Sequence, residues 1–78
     1  MTAFHLLPSV RASKVIRALE RAGFVQDRQK GSHVVMQHPQ RKCQTVVPVH
    51  KGETIQKGLL MDIVKQAGLS VEEFLKLL

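Results

Sequence analysis

The amino-acid sequence predicts an α+β fold with the element order αβββα and an extra short C-terminal helix. Three observations predict it: apolar residues at helical spacing near both ends of the chain, three short β-rich segments between them, and hairpin-length loops separating those segments. Because strands joined by short loops pair with their neighbours, we expect a three-stranded antiparallel sheet. Both main helices should pack on one face of that sheet.

The first predicted helix runs from Ala12 to Ala22, where apolar residues recur every three or four positions. Gly23 supplies a left-handed stop, and Phe24 is the apolar residue that folds back on the helix. The opposite helix face carries the basic residues Arg11, Lys14, Arg17 and Arg21. This basic strip has two interpretations: a solvated face, or a surface that docks a polyanion or an acidic partner.

Three strands are predicted in the middle of the chain, and they span Phe24 to Gln29, His33 to His38 and Gln44 to Val49. The nitrogen of Pro48 cannot donate a hydrogen bond to a strand ladder. The third strand should therefore lie at a sheet edge or end early.

Two further helices are predicted after the strands. The first begins within residues 54–58 and ends at Gly68, and Ser70 and Glu73 form a capping box that opens the last helix. The apolar face of the longer helix should comprise Leu59, Leu60, Ile63, Val64 and Ala67.

Length and composition favour one soluble domain spanning residues 1–78, with a thin core. The single cysteine, Cys43, excludes an internal disulfide and favours a reducing cytosol. The first ten residues lack the pattern of a secretion signal, and no apolar run approaches membrane-spanning length. We therefore expect a cytoplasmic protein without membrane contact.

The charge balance points to a polyanionic partner. Twelve Lys and Arg residues stand against six Asp and Glu residues, giving a formal net charge of +6 and a pI near 10.1. Such an excess favours nucleic acid, through neutralisation of phosphates. An anionic membrane is a weaker alternative because no segment joins a basic face to exposed bulky aromatics. Charge that serves solubility alone is the third interpretation.

A metal site is not favoured, although His33, His38, Cys43 and His50 are potential ligands. His33 and His38 are separated by an odd number of positions, so in a strand they point to opposite faces. We interpret His38 and His50 as loop residues and Cys43 as a small inert side chain. No metal and no small-molecule cofactor is expected.

The remaining candidate is the histidine of the stretch "RQKGSHVVMQHP", which begins at Arg28. An imidazole can take a proton from a ribose 2′-hydroxyl or give one to a departing 5′ oxygen. Taken alone, His33 is either a structural residue at a strand start or such a proton carrier. The candidate phosphate neighbours are Arg28, Lys30, Ser32 and Lys51.

Three segments together closely resemble the HicA family of small toxins, namely "RALERAGFVQDRQKGSHVVMQHP", "TVVPVH" and "KGLLMDIVKQAGLSVEEFLKLL". The resemblance runs from about Val15 to Leu78. It implies a fold like that of the double-stranded-RNA-binding domain and a metal-independent ribonuclease that cuts messenger RNA. It also implies a HicB-type antitoxin as partner, and it assigns the catalytic role to the histidine of the GSH element, here His33.

The sequence departs from the family pattern at three positions. Leu59 stands where a threonine is common, and Met61 stands where a basic residue is usual. Val34 replaces a second histidine that many members carry directly after the catalytic one. These changes are expected to weaken an RNA contact or a helix cap, or to remove a helper of His33.

Two other classes of function remain open alongside the ribonuclease. One is a non-catalytic RNA-binding module of the same fold, and the other is a protein-interaction unit. A binder of double-stranded RNA normally carries a lysine cluster at the start of its second helix. Here that region offers only Lys57.

Overall fold

The computed structural model describes residues 4–50 and 52–78. A 3-10 turn, Phe4–Leu6, precedes five strands and three α-helices. The strands are β1 (Val10–Arg11), β2 (Val25–Lys30), β3 (His33–His38), β4 (Cys43–Pro48) and β5 (Thr54–Ile55). The helices are α1 (Ala12–Arg21), α2 (Lys57–Gln66) and α3 (Val71–Leu77). The predicted order, αβββα with a C-terminal helix, is confirmed.

Strands β2, β3 and β4 form the predicted antiparallel meander, with β3 in the centre. The pairing of β3 with β4 is regular from His33 opposite Pro48 to His38 opposite Cys43. The pairing of β2 with β3 contains an irregularity between Gln26 and Arg28, typical of a β-bulge. Pro48 is the last residue of an edge strand, as its missing donor requires.

The helices cover one face of this sheet, here called the inner face. Inward side chains of β3 and β4 pack with α1 and α2 into one apolar cluster. Its most deeply buried members are Val15, Ala18, Leu19, Met36, Val47, Leu60, Val64, Ala67 and Phe74. Because directly opposed residues in an antiparallel pair share a face, the residues that alternate with the inner ones form the outer face, on which His33 is exposed and Val35 is buried. This arrangement agrees with the double-stranded-RNA-binding-domain-like fold.

Helix α1 ends as its sequence predicts. Gly23 adopts a φ of +102°, and its N–H donates to the Glu20 carbonyl while the Phe24 N–H donates to the Leu19 carbonyl, both at 3.0 Å. These two bonds define a Schellman motif. A β-carbon at Gly23 would lie 2.7 Å from Nε2 of His38. Position 23 therefore favours glycine for two reasons: the left-handed backbone that ends α1, and the close approach of His38 in β3.

Helix α3 begins with the predicted capping box. The Glu73 N–H donates to the Ser70 hydroxyl at 3.0 Å, and the Ser70 N–H donates to the Glu73 carboxylate at 2.8 Å. Hydrogen bonding from the Ser70 backbone, and then from its side chain, lowers the pKa of Glu73. Charged Glu73 is thus part of what holds the start of the last helix.

Two features differ from the sequence predictions. The pairing of β1 with β5 joins Val10 to Ile55 and was not predicted, because two-residue strands have no periodic signal. Leu59 was assigned to the apolar face of α2 but is exposed, with 43% of its surface accessible. Within residues 4–50 and 52–78, none of the helices has the length and apolar character needed to cross a membrane.

Candidate functional site

His33 is presented by the turn between β2 and β3. Lys30 and His33 are paired across the strands, so Gly31 and Ser32 form a two-residue hairpin loop. Gly31 has a φ of +57°, the left-handed value that the first residue of such a loop requires. The Gln29 side-chain amide donates to the Gly31 carbonyl at 3.1 Å. This turn places His33 as the exposed first residue of β3.

The register brings cationic side chains onto the same face as His33. Lys30, His33 and Pro48 are successive partners in one row across the sheet. Arg28 lies in the next row, opposite Val35, on the same outer face. Two of the predicted phosphate neighbours thus share a surface with the candidate proton carrier.

An open groove of about 680 Å³ is lined by the start of β3, by β4, by the segment between β4 and α2, and by α2. Its volume is within the range of ordinary ligand sites. The strand side contributes His33, Val46 and Pro48, and the other side contributes residues of the β4–α2 loop and of α2. The titratable side chains that line the groove are His33, His50, Glu53 and Asp62.

Backbone hydrogen bonds at Val49 and at His50 fix this part of the chain. Directly before His50, the Val49 N–H donates to the Ser32 carbonyl at 2.5 Å, which continues the β3–β4 register beyond Pro48. The His50 carbonyl itself accepts a hydrogen bond from the Glu53 N–H at 3.0 Å. His50 therefore occupies a defined position beside the His33 turn.

Helix α2 forms the opposite wall of the groove. Leu59, Asp62 and Gln66 line it at helical spacing, so one stripe of α2 faces the strands. The Gln66 side-chain oxygen accepts a hydrogen bond at 2.9 Å from the hydroxyl of Thr45, which is buried. This bond fixes Gln66 against β4. Leu59 exposes its apolar side chain to the groove where the family commonly has threonine.

The other predicted site residues have different surroundings. The Arg28 guanidinium contacts the carboxylate of its neighbour Asp27, an exposed ion pair that contributes little to stability. Ser32 is half-buried in the turn, and its carbonyl accepts the bond from Val49. Lys51 lies outside the described residues, so its predicted role stays a prediction.

The interpretation of His38 as a loop residue is wrong. It is the buried last residue of β3, and its Nδ1 accepts the Arg41 N–H at 3.2 Å. Its ring meets the ring of Phe24 edge-on, with centroids 5.2 Å apart and planes at 89°. The strand alternation separates it from His33, as predicted. Among residues 4–50 and 52–78, no three His, Cys, Asp or Glu side chains are placed to hold a metal ion.

The departure at position 34 does not affect the groove. Val34 points to the inner face and is 3% exposed, within the apolar cluster. A side chain there lies on the opposite side of the sheet from His33. Met61 is half-buried against the same cluster and does not line the groove.

Sequence reasoning missed the groove residues of the β4–α2 segment. His50 follows Pro48 by two positions, so strand alternation could have placed it on the His33 face. Asp62 and Gln66 follow Leu59 at helical intervals, which could have indicated a shared stripe. The association of that stripe with His33 depends on tertiary packing, which no local pattern contains.

The αβββα order with a three-stranded antiparallel sheet makes this a protein of the double-stranded-RNA-binding-domain-like class. On this fold, the exposed His33 lies across from Lys30 and lines the groove. A family model described as the HicA toxin of bacterial toxin-antitoxin systems matches residues 12–69, more than half of the chain. The chain therefore belongs to the HicA toxin family, the toxin component of such systems. A search of curated protein sequences finds no significant match.

Proposed function

We propose that this toxin is a metal-independent endoribonuclease that cuts messenger RNA, with His33 as general acid or base. Membership of the HicA family supports a toxin role, and the placement of His33 supports the chemistry. The single observation that carries the proposal is the exposed imidazole of His33, directly across the strand from Lys30, at the edge of an open groove.

The attacking group in this reaction belongs to the substrate. The ribose 2′ oxygen forms a bond to phosphorus, and the bond from phosphorus to the 5′ oxygen breaks. The 2′-hydroxyl proton passes to a base, and the departing 5′ oxygen receives a proton from an acid. The products carry a 2′,3′-cyclic phosphate and a 5′-hydroxyl. Such a step needs a positioned proton carrier and positive charge, which His33, Lys30 and Arg28 would supply.

RNA binding is expected to depend mainly on the phosphate backbone. The sequence contains neither Trp nor Tyr, Phe24 and Phe74 are buried in the core, and the exposed Phe4 does not line the groove. Base stacking on aromatic rings is therefore a minor source of affinity. The net charge of +6 instead favours phosphate contacts that weaken as salt rises. Ser32 and Lys51 are the other proposed phosphate neighbours.

The proposed partner is an antitoxin of the HicB type. A toxin-antitoxin system contains an inhibitory component, and the groove is open on the isolated toxin. An antitoxin that covers the groove and the Lys30–His33 row would prevent RNA from reaching the imidazole. The cytoplasm is the proposed compartment, because messenger RNA and the partner meet there.

The experiment compares cleavage of a messenger RNA by the wild type, His33→Gln and His33→Ala, each with chelator present. His5→Gln is the matched control, because His5 is an exposed histidine outside the groove. We expect cleavage by the wild type and the control, and a loss of about 100-fold or more in both His33 variants. Full activity in a folded His33 variant contradicts the assignment.

The same preparations test the non-catalytic alternative. Tight, length-dependent binding of duplex RNA without cleavage by the wild type would favour an RNA-binding module. Duplex binding would require cationic side chains at the start of α2, and Lys57 is the lysine there. Its ammonium already contacts the His5 carbonyl oxygen, at 3.5 Å, which disfavours this alternative. Growth arrest on expression, relieved by His33→Gln, would contradict a pure protein-interaction unit.

A further inference from the structure

We infer that His50 is a second catalytic residue, which exchanges a proton with the substrate in the same cleavage step as His33. This inference rests on the proposed ribonuclease function and extends it from one proton carrier to a pair. His33 and His50 line the same groove.

The β3–β4 ladder fixes the relation between the two histidines. Pro48 is directly opposite His33, and the Val49–Ser32 hydrogen bond extends that register by one more pair. His50, two positions beyond Pro48, therefore returns to the outer face as a diagonal neighbour of His33. Diagonal neighbours in an antiparallel pair are about 7–8 Å apart at their α-carbons. Two imidazoles at that spacing can approach one phosphodiester from two sides.

The chemistry requires two proton transfers at different oxygens. One group must be unprotonated to accept the 2′-hydroxyl proton, while another must be protonated to donate to the 5′ oxygen. A single imidazole cannot be in both states in one concerted step. An imidazole can accept a proton in its neutral form and donate one in its protonated form, so a pair of imidazoles can fill both roles. The groove brings together two side chains of this type.

Among the described residues, two carboxylates and one ammonium are the charged competitors considered for the second proton transfer. Glu53 and Asp62 also line the groove, and Lys30 is directly across from His33. A protonated carboxyl group is neutral, whereas a protonated imidazole is a cation that also stabilises negative charge on the phosphate oxygens, so an imidazole is the better proton donor at this site. Asp62 also belongs to α2, on the opposite wall of the groove from the strand that carries His33. Unlike the two carboxylates, His50 is tied to the His33 turn by the strand register, and unlike Lys30 it lines the groove.

The first test is the pH dependence of RNA cleavage by the wild type, His50→Gln and His50→Asn, with His5→Gln as the matched control. We expect a bell-shaped profile for the wild type and the control. The His50 variants should lose one limb of the bell and about 100-fold or more in rate near pH 7, with RNA affinity retained. Circular dichroism identifies the folded variants. A folded His50 variant with the wild-type rate and bell overturns the inference.

The second test uses an RNA oligonucleotide whose scissile 5′ oxygen is replaced by sulfur. A thiolate leaves without receiving a proton, so this substrate does not need the general acid. We expect one of the two variants, His33→Gln or His50→Gln, to recover cleavage on the sulfur substrate while the other stays slow. Identical ratios between the two substrates for both variants overturn the pairing.

The outcomes separate this inference from the proposed function. If the wild type does not cleave RNA, or if His33→Gln cleaves normally, the proposed function fails. If His33→Gln is inactive while His50→Gln is fully active, the ribonuclease proposal survives and the His50 inference is overturned. Parallel tests of Glu53→Gln and Asp62→Asn show whether a carboxylate is the second carrier instead.

Discussion

Lys30 and His33 are opposed residues in the antiparallel pairing of β2 with β3, so their side chains leave the same face of the sheet beside the groove. An ammonium at this point can neutralise a phosphate oxygen as charge develops in cleavage. Replacing Lys30 with Ala should slow cleavage by about 10- to 100-fold, because a charged hydrogen bond contributes about 1.5–3 kcal/mol. Cleavage of a short oligonucleotide at fixed salt measures the effect.

Arg17→Ala is the matched control for Lys30→Ala. Both changes remove one positive charge, but Arg17 is exposed on α1, which packs against the inner face of the sheet. Arg17 does not line the groove. We expect Arg17→Ala to leave the rate nearly unchanged. Equal losses in the two variants would mean that net charge, and not the position of Lys30, governs cleavage.

His33 and His38 should give opposite results when each is replaced by Gln. His33 is exposed, so His33→Gln should abolish cleavage and leave the thermal midpoint nearly unchanged. His38 is buried, accepts the Arg41 N–H and packs on Phe24. His38→Gln should therefore lower the free energy of unfolding by about 1–3 kcal/mol. Its folded fraction should still cleave RNA.

Thermal unfolding and cleavage, both measured on each variant, check this contrast. The assignment of roles is wrong if His38→Gln is fully folded but inactive. It is also wrong if His33→Gln loses as much stability as His38→Gln.

Local sequence patterns were sufficient for most of the fold. The Schellman end at Gly23, the capping box at Ser70 and the three strands depend on neighbouring residues and on alternation, which are visible in the sequence. The β1–β5 pair joins residues more than forty positions apart through two short segments. Its formation depends on the packed core, so no local signal indicates it.

The candidate site was predictable only in part. The sequence predicted that His33 begins a strand after the segment Lys30-Gly31-Ser32 and named Lys30 as a candidate phosphate neighbour, but it left open whether His33 is structural or reactive. The two-residue loop and the exposure of His33 are findings of the structure.

The exposure of Leu59 was not predicted, because the helical pattern identifies apolar positions but not which of them the core covers: Leu60 and Ile63 are buried, and Leu59 beside them is exposed. The position of His50 was not predicted, because it depends on β3–β4 pairing that continues past Pro48.

Gly23→Ala should be strongly destabilising, since the glycine has a φ of +102° and its new methyl group would meet His38 Nε2 at 2.7 Å. We expect a loss of about 2 kcal/mol or more in the free energy of unfolding. Gly58→Ala is the matched control. Gly58 lies in α2 with no atom within 4 Å of the added carbon, so alanine should stabilise by about 0.5–1 kcal/mol.

Denaturant unfolding of both glycine variants measures the two changes. Equal stability of Gly23→Ala and the wild type would show that the His38 ring moves aside at no cost. The close packing of Gly23 on His38 would then have no structural importance.

The capping box of α3 should make stability depend on pH through Glu73. Its folded-state pKa is lowered, first by the Ser70 N–H and then by the Ser70 hydroxyl, so the ionised form is favoured by folding. That stabilisation is complete above the unfolded-state pKa, about 4.3, and is lost as pH falls through the lower folded-state pKa. Glu73→Gln should be less stable than the wild type at pH 7, and the difference should vanish in acid.

Glu72→Gln is the matched control, because Glu72 is an exposed acid in the same helical turn but is not part of the box. Ser70→Ala removes the hydroxyl acceptor and should cost about 1 kcal/mol at pH 7. Thermal midpoints of the variants from pH 7 down to pH 2 measure the dependence. A constant difference between Glu73→Gln and the wild type over that range would show that the stabilisation comes from the shape of the box and not from the carboxylate charge.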